Sequence, residues 1–250
     1  MEKTKFLRTS DLARAAGIHP NTVRLYVKWG LLPPVQRSPT GYRLFTQHHL
    51  DCLLLARKIY ATEYPGRDLR ASGNEIIMAA SGGDWQAALD AAERHLQSVL
   101  VEIDLAETAA SLLEKWATGP QKDSIDGPLA IGGVSVYLDI SIDILRNWER
   151  NGLIVVPRNP TNGYRLYGPL EISRLRIIRM LSHAGYSLMA ILRMFIVLEA
   201  GNITRLRESL DTPRADEDIF TAADHWLSTL HDQKKTSEEI IQTIKQHIVA

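Results

Sequence analysis

Apolar residues along this chain of 250 residues fall into two long stripes separated by shorter amphipathic pieces. Within each stripe they recur at alternating three- and four-residue steps, the spacing that lines one seam of a coiled-coil helix. In the first, Leu89, Ala92, Leu96, Val99, Ile103, Ala106, Ala110, Leu113 and Ala117 are apolar at all nine positions. In the second, Phe220, Ala223, Leu227, Leu230, Lys234, Ser237, Ile241, Ile244 and Ile248 hold the register at seven of nine. Such a stripe also marks a helix packed on a domain. Its equal length and matched placement in both halves favour two helices that pair with each other or with counterparts in another chain.

The pieces ahead of the first stripe read as a helix-turn-helix. Ser10 to Gly17 predicts a short helix with Ser10 as N-cap and Gly17 as a left-handed stop. His19 to Gly30 predicts a second helix with Pro20 in its first turn. Pro33 and Pro34 break the chain, and Ser38-Pro39-Thr40-Gly41 predicts a hairpin turn, hence a small wing.

The same pattern returns 122 residues later, and no gap is needed to align it. Ile18 falls on Ile140, Arg24 on Arg146, Gly30-Leu31 on Gly152-Leu153, and Gly41-Tyr42-Arg43-Leu44 on Gly163-Tyr164-Arg165-Leu166, among 10 identities over 48 pairs. The second copy departs at its start, where Gly132-Gly133 replaces the Ser-Asp cap and Asp139 replaces Gly17. A frayed or shorter first helix is therefore expected there, while Ser141 restores a good N-cap for the second helix. The turn of the second wing is Asn159-Pro160-Thr161-Asn162-Gly163.

The fold expected is mainly α, with two winged helix-turn-helix domains bearing small β-hairpin wings, each followed by a long coiled-coil helix. Its boundaries are 1–83 and 129–213 for the two domains, 84–117 and 214–250 for the helices, and 118–128 for a polar, Pro/Gly-rich linker. Eleven linker residues reach about 35 Å when extended, enough for one chain to fold as a pseudo-dimer.

Formal net charge is zero, which at first argues against nucleic acid, but the zero is a sum of opposites. Residues 1–60 carry ten Lys/Arg against three Asp/Glu, residues 61–128 five against twelve, residues 129–182 seven against four, and residues 183–250 seven against ten. Attraction to phosphate depends on the local field, so two basic modules on acidic arms suit a duplex. Residues 20–24 open the second helix, where base-reading side chains usually stand. Arg43 and Arg165 follow a hairpin glycine and are placed to reach a backbone phosphate.

Thr22-Val23-Arg24-Leu25-Tyr26, Trp29-Gly30-Leu31-Leu32-Pro33-Pro34 and Gly41-Tyr42-Arg43-Leu44-Phe45 resemble the MerR family of bacterial regulators. So do Leu145-Arg146-Asn147-Trp148-Glu149-Arg150-Asn151-Gly152-Leu153-Ile154, Gly163-Tyr164-Arg165-Leu166-Tyr167 and Gly185-Tyr186-Ser187-Leu188. The resemblance implies a sequence-specific regulator of transcription that binds double-stranded promoter DNA and distorts it, as a pseudo-dimer or homodimer through its coiled-coil helices. It implies that Asn21, Thr22, Arg24 and Tyr26 face DNA in the first copy, with Tyr42 and Arg43 on the wing. Asp143, Arg146, Trp148, Tyr164 and Arg165 are their counterparts, and Lys28, Arg37, Arg150 and Arg158 complete the candidate set. The alternatives are that Tyr42 and Tyr164 only pack the wings and that Arg24 and Arg146 are ordinary surface charges. Asp143 in place of Asn21 repels phosphate unless it meets a cytosine amino group, so the second copy is expected to read a different half-site or to bind more weakly.

A single cysteine, Cys52, leaves no internal disulfide or multi-cysteine metal cluster, and adjacent His48 and His49 point to different helix faces. No metal, cofactor or catalytic constellation is expected. Neither a membrane-spanning run nor a secretory signal is legible, and a cytoplasmic protein is expected. RNA polymerase and a small-molecule effector are the further candidate partners, with Tyr64, Trp85, Trp116, Tyr186 and Trp226 as candidate stacking residues for the effector. The competing reading is a ligand-sequestering protein built on the same scaffold, with little or no DNA binding.

Overall fold

The computed structural model describes residues 6–61, 67–119, 125, 127–213 and 222–249. Two compact units divide the chain, Met1–Val101 with Thr229–Ala250 and Glu102–Ser228.

In the first unit, α1 (Thr9–Ala15) and α2 (Pro20–Lys28) form the helix-turn-helix, followed by β1 (Gln36–Arg37), β2 (Arg43–Leu44), α3 (Gln47–Ile59) and α4 (Arg67–Ser81). The first part of α5 (Trp85–Thr118) comes next. The Ser10 cap expected from sequence is corrected: the N-cap lies two residues earlier, at Arg8, whose backbone N–H donates to the Asp11 carboxylate at 2.8 Å. An acid at the third helical position can satisfy an orphan amide as a cap hydroxyl would, so Ser10 becomes an ordinary first-turn residue. At its other end Gly17 is left-handed (φ 62°) and Ile18 N–H reaches Ala13 O at 2.9 Å, closing the helix as expected. His49 caps α3, its Nδ1 accepting from Thr46 N–H at 3.1 Å, and Cys52 is buried in the same helix.

Residues from α11 (Trp226–Val249) complete this unit. Ile240, Ile241 and Ile244 enter one core with Leu12, Val23, Tyr26, Phe45 and Leu53. Trp85 stacks on His247 with ring centroids 4.4 Å apart, and Lys245 pairs with Glu93 at 3.7 Å. The start of α5 thus lies beside the far end of α11, an antiparallel arrangement.

The second unit holds the remainder of α5, then α6 (Ile131–Leu138), α7 (Ile142–Arg150), α8 (Pro169–His183), α9 (Leu188–Glu199), a short turn at Ile203–Arg205, and α10 (Leu206–Asp211). It ends on a turn at Ala222–His225 and the first residues of α11. The last part of α5 is fastened here: Arg207 pairs with Glu107 at 2.6 Å, Tyr186 donates to Ala106 O at 3.2 Å, and Trp116 Nε1 donates to Ser173 Oγ at 2.9 Å. Among the described residues α10 has no counterpart in the first unit.

The expectation of a shorter α6 is corrected, since it has eight residues where α1 has seven. Asp139 adopts the left-handed conformation (φ 51°) that Gly17 holds in the first copy, and Ile140 N–H reaches Ser135 O at 3.0 Å. The helix stop survives because a short polar side chain tolerates that region better than most. Ser141 caps α7 through Ile144 N–H, as the sequence led one to expect.

The wings differ. β1 and β2 pair antiparallel, Arg37 opposite Arg43, whereas the second copy keeps a single bridge between Arg158 and Arg165. The gapless alignment is thereby corrected: Arg37 matches Arg158, an offset of 121, because the second turn is one residue longer and the stretch before it one residue shorter. Along the first stripe all nine seam positions are buried or half-buried; in the second, Ile248 is exposed and Phe220 lies outside the described residues. No described helix is long and apolar enough to cross a membrane.

Candidate nucleic-acid interface

The helix-turn-helix geometry sorts the candidate residues by helix face. On α2, Val23 and Tyr26 lie three residues apart and point inward, so Asn21, Arg24 and Lys28 are left outside. Tyr26 is 7% exposed and meets Tyr60 edge-on; Trp148, its counterpart on α7, is 6% exposed. The expectation that these two face DNA is corrected, because each is the aromatic that fixes its recognition helix to the module core. Trp29, outside the candidate set, stands exposed beside Tyr26.

Outside, Arg24 donates to Asn21 Oδ1 at 2.8 Å, a neutral partner that leaves its charge intact. Arg146 instead faces Asp143 at 3.6 Å. Thr22 corresponds to Ile144, which is exposed, and Arg14 to Val136, also exposed.

Each wing is closed by one hydrogen-bond frame. Ser38 N–H reaches Tyr42 O at 2.8 Å in the first copy, and Asn159 N–H reaches Tyr164 O at 2.8 Å in the second. The preceding arginine then ties itself to the turn glycine, Arg37 to Gly41 O at 3.0 Å and Arg158 to Gly163 O at 3.4 Å. Tyr42 and Tyr164 project from the tips, 75% and 72% exposed. In the first unit a groove between the start of α1 and the wing is lined by Arg8, Thr9, Ser10, Ser38, Tyr42 and Arg43, two guanidinium groups among hydroxyls.

One residue outside the candidate set changes the second site. Glu149 of α7 meets Arg165 at 2.6 Å and Arg158 at 3.5 Å, while its counterpart in α2 is Val27. Arg24, Arg37 and Arg43 have no acidic partner among the described residues. The Tyr167 phenol is buried without a hydrogen-bond partner among the described residues; burial first, and the Glu149 charge second, push its pKa up. The signal for Glu149 lay in the repeat, but the one-residue slip at Arg158 hid the pairing.

The described aromatic effector candidates are divided between the two units. Trp85 belongs to the first unit and stacks on His247; Trp116, Tyr186 and Trp226 belong to the second. Tyr186 and Trp226 are buried, each with its polar atom already bonded to a backbone carbonyl, so as a set they are packing residues. Tyr64 lies outside the described residues. Trp116 borders a groove with Leu170, Leu192, Phe195 and Ile196.

Two outward recognition helices with basic wings define a duplicated helix-turn-helix regulator. The family model for MerR HTH family regulatory proteins matches residues 7–65 and again 129–195, and the chain belongs to that family. The HTH-type transcriptional regulator CueR of Escherichia coli O6:H1 is 32% identical over 127 residues, 49% of this chain and 90% of that protein. CueR of Vibrio cholerae is 27% identical over 125 residues, 49% of this chain and 88% of that protein. The mercuric resistance operon regulatory protein of Bacillus cereus is 33% identical over 52 residues, 21% and 39% of the two chains. No solved structure matches. The protein is a MerR-type transcriptional regulator, a DNA-binding class, and the ligand-sequestering alternative is set aside.

Proposed function

We propose that one chain binds a promoter duplex through both modules, α2 and α7 each entering a major groove while the wings hold the flanking phosphates. The observation that carries this is the repeated frame, an outward helix beside a wing whose arginine is bonded to the turn glycine, in both units. Asn21, Thr22, Arg24 and Lys28, with Arg37, Tyr42 and Arg43, form the first contact set. Asp143, Arg146 and Arg150, with Arg158, Tyr164 and Arg165, form the second. The antiparallel approach of α5 and α11 within the first unit supports an intramolecular pseudo-dimer with residues 1–83 and 129–213 as its heads.

Its action is regulatory and intracellular, on promoter DNA whose distortion sets engagement by RNA polymerase. The candidate seat for an effector is the groove beside Trp116, where an apolar ligand would quench indole fluorescence. Selection of bound genomic fragments, followed by backbone footprinting and sedimentation of the complex, tests the reading. Two protected half-sites per chain are expected; one half-site per chain, or no affinity for any duplex, overturns it.

A further inference from the structure

We propose that Glu149 is a charge clamp that makes the second module the weaker phosphate-binding half and leaves most of the salt-dependent affinity to the first. This rests on the DNA-binding reading above and adds an asymmetry within it. Three of the four arginines in the second contact set have acidic partners, Arg146 with Asp143, and Arg158 and Arg165 with Glu149, while Arg150, like its counterpart Lys28, has none among the described residues. The equivalents of the three paired arginines in the first module, Arg24, Arg37 and Arg43, bond only to neutral groups among the described residues or to none.

The two acids differ in weight. Asp143 is almost fully exposed and its 3.6 Å pair is screened by water and salt, so it yields readily to a phosphate. The Glu149 side chain is 18% exposed, and the Arg165 pair at 2.6 Å is a charge-assisted hydrogen bond in a partly desolvated site. An arginine held there must share its charge with the carboxylate, which lowers the number of counterions a phosphate contact releases. Val27, at the matching place on α2, offers no such charge.

Two reciprocal variants of the full chain test the clamp: Glu149→Gln removes the charge while keeping the hydrogen-bonding shape, and Val27→Glu installs it opposite Arg43. Each is titrated against labelled mixed-sequence duplex DNA over a series of potassium chloride concentrations, after far-ultraviolet circular dichroism shows native helicity. Glu149→Gln should steepen the dependence of log affinity on log salt by about 0.9 to 1.8, one or two added phosphate contacts, and tighten binding several-fold in dilute salt. Val27→Glu should do the reverse. An unchanged or shallower slope in Glu149→Gln overturns the clamp while leaving DNA binding intact. Wild-type protein that ignores the duplex in dilute salt overturns both.

Discussion

The indole of Trp226 fills the space that a side chain on Gly185 would need, for a Cβ there would meet the ring at 2.4 Å. Gly185 also holds φ at 94°, and Trp226 Nε1 donates to Ala184 O at 2.7 Å. Gly185→Ala combines a steric clash with backbone strain and should cost about 2–4 kcal/mol. Urea unfolding followed by tryptophan fluorescence measures it; a loss under about 0.5 kcal/mol would mean that the ring moves aside freely.

Burial separates the two tyrosines of the first module. Tyr26→Ala, which empties a core position, should destabilise the protein by about 3 kcal/mol. Tyr42→Ala, at an exposed tip, should leave stability within about 0.5 kcal/mol while weakening duplex binding. Paired thermal melts and binding curves decide, and a stable Tyr26→Ala protein would contradict the core assignment.

Arg24→Ala should weaken binding to a selected promoter fragment by about 1–3 kcal/mol. Arg146→Ala should lose less, because Asp143 already offsets part of its charge. Fluorescence anisotropy with both variants checks the order; equal losses would make the two recognition helices equivalent.

Much of the fold was legible because its signals are local. The two stripes, the repeated Gly-Tyr-Arg-Leu block and the Ser141 cap all predict structure from neighbouring residues. What sequence missed depends on side chains meeting across elements. Tyr26 and Trp148 lie on recognition helices yet point inward, which only their spacing from Val23 and Leu145 could have disclosed. Glu149 acquired its meaning from a wing arginine displaced by one register, and Asp11 replaced Ser10 as a capping group because helix starts are set by competing donors and acceptors within one turn.

Asp139 carries a left-handed strain that glycine would not. Asp139→Gly should therefore stabilise the protein by about 1 kcal/mol, since the pair it loses, Arg179 at 3.8 Å, is exposed. Differential scanning calorimetry would register the rise, and an unchanged melting temperature would show that aspartate adopts this conformation at no cost.

Protonation of His95 couples stability to pH. The imidazole is 2% exposed, and burial holds its pKa below the ordinary histidine value of about 6.5. The unfolded chain takes up a proton near that pH which the folded chain refuses, so this contribution is whole above about 6.5 and declines as pH falls through it. The slope approaches about 1.4 kcal/mol per pH unit for one such group. His95→Gln should flatten the difference between urea midpoints at about pH 7.5 and about pH 5.5; an identical difference in the variant would assign the effect elsewhere.

Ile240, Ile241 and Ile244 share a core with residues made about 150 to 230 positions earlier. A ribosome adding 5–20 residues per second therefore releases the amino-terminal head unsealed, and on the order of ten seconds pass before its missing wall is synthesised. In that interval the head is open to proteases and chaperones, and a frameshift near residue 235 would disable the part of the protein that was translated first.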